Sequence, residues 1–583
     1  MCEEKRRKMS DFDRKRTDIF RVMDKGICET SKRDIRSREF INPQRIIWTN
    51  GNVKNAEALL RAKDQQSSLI ADEVCGMIND GSEKASVLLD FGVELHGGIR
   101  IVGAGEKSGK GTKVRVRFGE SVSEAMSEIG GEYNATNDHA RRDMIVEIGS
   151  MSMNQIGETG FRFVRIDLEE PDAALSLKAI CAVLIFKDVP YRGSFECSDP
   201  LLNRIWDVGA YTVHLNMQEY IWDGIKRDRL VWVGDMHPET TAIYAVFGDD
   251  DSVEKSLDFT REQTPLPNWV NGFSTYSMWY AMIVADYYKH FGKREFVEKQ
   301  RDYLCGLFDL FSAQINEDGK NIMQMGETAR FIDWPSVGRE KVIDAGVQAM
   351  HIMMARAMKE IFVVLGDEKR AKQCDKDIER LQQVALDYED SKQAAAMMVM
   401  AGLADPVKTN EELLSVGGAK GMSTFMGYYI LTARAMAGDY VGALNAAREY
   451  WGGMLSLGAT TFWEDFDIEW LENAGRIDEM PEEGKVDVHA KYGRFCYQGY
   501  RHSFCHGWAA GVTPWLSENV LGIEILEPGC KKVKITPHLG DLSWAKGSYP
   551  TPYGEIKISH EKMQDGSIHT EVNAPEGVEV VLD

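Results

Sequence analysis

What this chain of 583 residues lacks sets its bounds first. No stretch approaches the ~18 uninterrupted apolar residues that a membrane span requires, so no membrane span is expected. The 10 cysteines are scattered and form no CxxC pair, which argues for buried thiols rather than a disulfide framework. Cys496, Cys505, His502 and His506 lie near one another, but their spacing fits no standard zinc ligand set. There is no G-x-S-x-G elbow and no Walker loop, and the glycine-rich run from Gly103 to Gly111 lacks the helix that would cradle phosphate. Positive charge is also short. Lys and Arg number 69 against 91 Asp and Glu, a net charge of −22, and such a surface repels phosphate backbones and anionic lipid, so a nucleic-acid partner is not expected. The charged N-terminus has no apolar core of a secretory signal. Taken as it stands, the chain reads as cytoplasmic, with a removed or mis-called signal peptide as the alternative.

What is present changes texture twice. Residues 1–40 are polar and highly charged and read as a leader. Through 41–190 the pattern has period two, as in Lys113-Val114-Arg115-Val116-Arg117-Phe118 and in Val164, Ile166 and Leu168. This is the mark of half-buried antiparallel strands, and several in a row suggest a sandwich. From 191 to 520 the apolar spacing turns helical, as over 276–288, 342–365 and 425–437. These helices end at Gly292-Lys293, Gly366-Asp367 and Gly438-Asp439, where glycine supplies a left-handed terminus and Asp can cap the next helix. Repeated helical hairpins with no fixed sequence period suggest a ring or solenoid. Alternation returns over 521–583, where Asp565-Gly566 predicts a hairpin turn. The order is therefore β-sandwich, helical toroid, small β-sandwich.

The densest chemistry lies in Trp222 to Asp235, which packs carboxylates, cations and two tryptophans into 14 positions. A solvated charge run would explain the charges, but not the interleaved Trp222 and Trp232. A sugar pocket wants both, because pyranoses present C–H faces to aromatic rings and hydroxyls to carboxylates and guanidinium groups. A second cluster, Thr460-Thr461-Phe462-Trp463-Glu464-Asp465, could be a helix cap when taken alone. With two carboxylate clusters in one helical region, glycoside cleavage becomes the better reading, since one carboxyl must protonate the leaving oxygen while another activates water or attacks carbon. His506, before Gly507-Trp508, is either a hydrogen-bonded core histidine or a sugar contact. Asp333-Trp334-Pro335 is either a packed loop or part of the same site. Of 13 tryptophans, 11 fall between Trp206 and Trp515, which suits a carbohydrate cleft better than a scaffold.

At these motifs the chain resembles the α-L-rhamnosidases of glycoside hydrolase family 78. The family hallmark D-C/G-x-x-R-E-R-x-x-W-x-G-D is matched by Asp223, Arg227, Asp228, Arg229, Trp232, Gly234 and Asp235. A second hallmark, T-T-x-W-E, is matched by Thr460, Thr461, Trp463 and Glu464, and the segment around His506 is similar to a late histidine motif. The resemblance covers about residues 87–583. It implies a multidomain, mainly α protein in which an (α/α)6 barrel catalytic domain is flanked by an N-terminal and a C-terminal antiparallel β-sandwich.

The resemblance further implies an inverting hydrolase that releases terminal α-L-rhamnose. Asp228 would be the general acid, one methylene shorter than the family's glutamate, and Glu464 the general base. Asp223, Arg227, Trp232, Asp235, Asp333, Trp334, Trp463 and His506 would bind substrate. No cofactor or metal is required, since two carboxyls suffice. The expected partner is a carbohydrate, with a homodimer an allowed assembly. The competing readings are another glycosidase on the same barrel, a non-catalytic sugar-binding relative and, least favoured, a structural scaffold.

Overall fold

The structure, a computed structural model, describes residues 34–582 apart from 62–63, 71–72, 105–110, 323–329 and 496. Of the expected leader, residues 1–33 fall outside the described residues. Ser37–Ile41 is a strand paired with Ala173–Phe186.

The N-terminal region is a nine-stranded sheet built around the long strands Ser86–Gly103, Met153–Leu168 and Ala173–Phe186. Its pairings are antiparallel, with Val116 opposite Ile166 and Leu89 opposite Val164, and these residues form one core. The alternate, basic face is not left to water. Arg117 and Asp167 pair at 2.6 Å, both buried, and Arg115 pairs with Asp143 at 2.6 Å.

The middle of the chain closes into a ring of helical hairpins. Six inner helices touch in succession: Val233–Val246, Ser274–Phe291, Glu340–Leu365, Lys392–Met400, Gly427–Met436 and Val512–Trp515, the last packing back on the first. Every residue of Val233–Val246 is buried, as befits an inner helix. The outer Glu368–Leu381 instead buries a single stripe, Ala371, Cys374, Asp377 and Leu381, at helical spacing. The punctuation anticipated from sequence is present. Gly292 (φ 66°) and Gly366 (φ 72°) end their helices in the left-handed region, and the side chains of Asp367 and Asp439 cap the helices that follow.

The C-terminal region has two small sheets. Two findings differ from expectation. Lys532–Ile535 and Glu579–Leu582 pair in parallel, so this region is not wholly antiparallel. Ser194–Cys197, which precedes the barrel in sequence, pairs with Trp544–Thr551 and belongs to the C-terminal sheet. No helix among the described residues is long and apolar enough to cross a membrane.

Candidate active site

The segments that lead into the inner helices gather at one end of the ring. Residues 222–232 run into Val233–Val246, Asp333 and Trp334 precede Glu340–Leu365, Ser423 precedes Gly427–Met436, and His506 precedes Val512–Trp515. They interlock. The Gly507 N–H donates to the Asp223 carbonyl at 2.7 Å, the His506 N–H to that of Phe462 at 3.0 Å, and the Glu464 N–H to that of Ser503 at 3.0 Å.

The loop from Asp223 to Leu230 closes on itself. The Leu230 N–H donates to Asp223 Oδ1 at 2.9 Å, and the Asp223 N–H to the Leu230 carbonyl at 3.1 Å. At its tip, Asp228 (φ 57°) and Arg229 (φ 55°) are consecutive non-glycine residues in the left-handed region. Each such residue costs about 1–2 kcal/mol and persists only where its surroundings fix it. Arg227, next to this turn, is the hub of the site. Its Nη2 donates to Glu464 Oε1, and its Nε lies 4.0 Å from Asp228 Oδ1. The two carboxyls are 236 residues apart in sequence and here share one guanidinium. Glu464 also accepts from the Ser503 N–H at 3.1 Å, and its own carbonyl accepts from Trp508 Nε1 at 2.9 Å. Asp228 is the more open of the pair, with 19% of its side chain exposed against 3% for Glu464.

Behind this pair lies a buried acidic floor. His506 Nε2 sits 3.1 Å from Asp235 Oδ2, and the Tyr276 hydroxyl donates to Asp235 Oδ1 at 3.1 Å. Burial pushes the Asp235 and Asp223 carboxyls above the usual carboxylate range, against the pull of His506. Burial alone would lower His506, but the carboxyls of Glu464, Asp223 and Asp235 outweigh it and hold the imidazole above its ordinary value. The floor therefore gives up its protons at higher pH than free side chains would, and while protonated it can donate to sugar hydroxyls as well as accept from them. Asp333 is pushed up to about 7 by burial, while the Ser423 hydroxyl and the Trp334 N–H hydrogen-bond its carboxylate.

Aromatic rings run along one side of the floor. Trp232 contacts Tyr276 and Phe273, Phe273 contacts Phe331, and Phe331 contacts Trp334 at 5.1 Å. Trp334 then stacks on Phe495 at 5.7 Å, and Arg227 lies 6.0 Å over the Tyr497 ring. Trp232 and Trp334 are only partly buried and Phe495 is exposed, so apolar faces remain to meet a ligand.

Of the residues expected from sequence, Asp223, Arg227, Asp228, Trp232, Asp235, Asp333, Trp334, Glu464 and His506 come to this end of the ring. Trp463 is a correction. It is fully buried and stacked on Phe504 at 4.0 Å, so it supports the Glu464 segment from behind and offers a ligand no surface. The zinc reading gains nothing. Cys496 lies outside the described residues, the His502 Nε2 accepts from the Asp465 N–H, and the Cys505 thiol faces Thr212 and Asn216.

Sequence reading missed three groups. His139 reaches Asp228 from the N-terminal region, its Nδ1 lying 3.2 Å from Asp228 Oδ1. Lys226 is buried against Glu120 (2.8 Å) and Glu124 (3.3 Å) and donates to the Tyr500 and His502 carbonyls. Its ammonium lies at the one trio with metal-ligand spacing among the described residues, Glu120, Glu124 and His489. The third group is the rim formed by Phe273, Phe495 and Tyr497.

Residues 190–389 match the family model described as the bacterial alpha-L-rhamnosidase 6 hairpin glycosidase domain, and residues 522–583 match the bacterial alpha-L-rhamnosidase C-terminal domain. Within these two segments the chain is similar to the bacterial alpha-L-rhamnosidases. Among curated proteins, an alpha-L-rhamnosidase of Alteromonas sp. (strain LOR) is 22% identical over 566 residues, covering 87% of this chain and 57% of the relative. Among solved structures, the family 78 rhamnosidase of Bacillus sp. GL1 superposes with a TM-score of 0.71 at 21% identity, over 90% of this chain and 55% of that one. The Streptomyces avermitilis alpha-L-rhamnosidase in complex with L-rhamnose gives 0.67 at 14% identity, over 88% and 50%. A rhamnosidase from Klebsiella oxytoca with rhamnose bound gives 0.61 at 19% identity, over 83% and 96%. The chain thus spans a little over half the length of the Alteromonas and Bacillus relatives.

Proposed function

We propose that the chain is an exo-acting, inverting glycoside hydrolase that releases terminal α-L-rhamnose from glycans or plant glycosides. The observation that carries this reading is the meeting of Asp228 and Glu464 on the Arg227 guanidinium, beside a buried acidic floor and an aromatic rim. An inverting pair stands roughly 6.5–9.5 Å apart to leave room for a water, and a retaining pair about 5–5.5 Å apart. A guanidinium interposed between the carboxyls favours the wider class.

In this reading Asp228, the more open carboxyl, protonates the departing oxygen. Glu464 takes a proton from water on the opposite face. Asp223, Asp235, Arg227 and His506 bind hydroxyls, while Trp232 and Trp334 meet the C–H faces of the sugar.

The test is turnover of an aryl α-L-rhamnoside, with the anomer first released read by NMR. Asp228→Asn and Glu464→Gln should each lose about 10²–10⁴-fold in kcat. Unchanged turnover in either variant refutes that residue's role, and a first product of retained configuration refutes inversion. Turnover only of other aryl glycosides would reassign the sugar. Rhamnose binding by calorimetry with no turnover would make the chain a binding relative.

A further inference from the structure

The acid end of the site is not built by the barrel alone. A loop between the strands Thr112–Gly119 and Asp143–Ile148 of the N-terminal sheet delivers His139 to the Asp228 turn. His139 holds that turn at two points, through its ring and through its carbonyl. Its Nδ1 lies 3.2 Å from Asp228 Oδ1, the acceptor it can donate to while Nε2 faces the Arg501 guanidinium, and its carbonyl accepts from Arg229 Nη2 at 2.9 Å. The two residues gripped in this way are the consecutive left-handed pair. The imidazole is itself braced on the other side, where Arg501 Nη2 lies 3.1 Å from Nε2 and Arg501 pairs with Asp138. The loop beneath is tied down by Asn137, which donates to the Asp143 carbonyl at 3.0 Å and accepts from the Arg142 N–H at 3.0 Å.

We infer that His139 is a positioning residue for the acid: it fixes where the Asp228 carboxyl points and thereby governs proton delivery to the leaving group. The inference rests on the reading of Asp228 as general acid. An aspartate has one fewer methylene than a glutamate with which to correct its aim. Its direction is therefore set by the turn that carries it, and His139 is the residue holding both, the turn through its carbonyl and the carboxyl through its ring. A misplacement of about 1 Å can cost on the order of 10²-fold.

Acid assistance matters most when the leaving group is poor, so the leaving group separates positioning from bulk structure. In His139→Ala, kcat on an alkyl α-L-rhamnoside should fall about 10–100-fold, with KM within about twofold of wild type. On an activated dinitrophenyl rhamnoside, kcat should stay within about threefold. His139→Asn, which keeps a polar group at the Nδ1 reach, should recover part of the alkyl-substrate loss. Equal losses on both substrates, or none on either, would overturn the inference while leaving the function intact, provided Asp228→Asn and Glu464→Gln remain inactive in the same assays. If wild type turned over no rhamnoside, the function reading would fall. A thermal double-mutant cycle of His139→Ala with Asp228→Ala would then judge the pair: non-additive destabilisation is expected, and additivity would overturn it.

Discussion

Lys226 is buried where the N-terminal sheet meets the barrel, with Glu120 at 2.8 Å, Glu124 at 3.3 Å, and the carbonyls of Tyr500 and His502 at 3.0 and 2.6 Å. Lys226→Met removes the cation and keeps the length of the side chain. Two effects add. Two buried carbonyls lose a donor, at about 1 kcal/mol each and at any pH. Two buried carboxyls lose their counter-charge, and breaking a buried pair in this way costs about 3–5 kcal/mol while they are ionised. That second cost depends on pH. Burial already pushes Glu120 up to about 7, against the pull of Lys226, and removing the lysine raises it further. A raised acid favours the folded state below its unfolded value, near 4.5, and that contribution is lost as pH rises toward the folded value. Glu120 ionises near 7 in the wild type and higher in the variant, so the deficit of the variant should be level below about pH 7 and should grow by about 1 kcal/mol between pH 5 and pH 8. Urea unfolding followed by tryptophan fluorescence at the two pH values measures it. An equal deficit at both, or one below about 1 kcal/mol at pH 8, would refute the account of this cluster.

Three further outcomes follow from the site. A Cβ on Gly507 would lie 1.6 Å from Glu239 Oε1, so Gly507→Ala should destabilise by about 1–3 kcal/mol, and Glu239→Ala in the same chain should recover part of that; additive losses in denaturant midpoints would refute the clash. With Asp333 near 7, wild type should lose stability between pH 4 and 7 at up to about 1.4 kcal/mol per unit from this group, and Asp333→Asn should flatten that slope in pH-dependent unfolding. Trp334→Ala, which removes a half-buried ring stacked on Phe495, should raise KM for an aryl rhamnoside about tenfold, or about 1.4 kcal/mol, with kcat little changed; a fall in kcat at constant KM would place Trp334 elsewhere in the reaction.

Much of the fold was legible because its signals are local. Period two identified the strands around Val116 and Ile166, and Gly292, Gly366, Asp367 and Asp439 marked helix ends that the backbone confirms. The parallel pair between Lys532–Ile535 and Glu579–Leu582 was not legible, because alternation tells which residues are buried and not which strand lies beside which. The site divides in the same way. Asp223 to Asp235, Glu464 and His506 sit in compact motifs and could be found. His139 comes from an ordinary polar loop 89 residues before Asp228, and its role exists only through folding. Trp463 was misread because neighbours in an extended segment face opposite ways. The segment that turns Glu464 toward Arg227 turns Trp463 into Phe504.

The ring has a seam. Its first inner helix, Val233–Val246, is sealed by its last, Val512–Trp515, and the hydrogen bond from Gly507 to Asp223 stitches the same joint at the level of the chemistry. A ribosome must therefore add the 284 residues from Gly224 to Gly507 before the first motif can meet its counterpart. Until then the emerging barrel is an open arc, with Val233–Val246, whose every residue ends up buried, bare along one flank. Shielding that flank is a task for chaperones or for speed of synthesis, and it ends only when the late segment arrives.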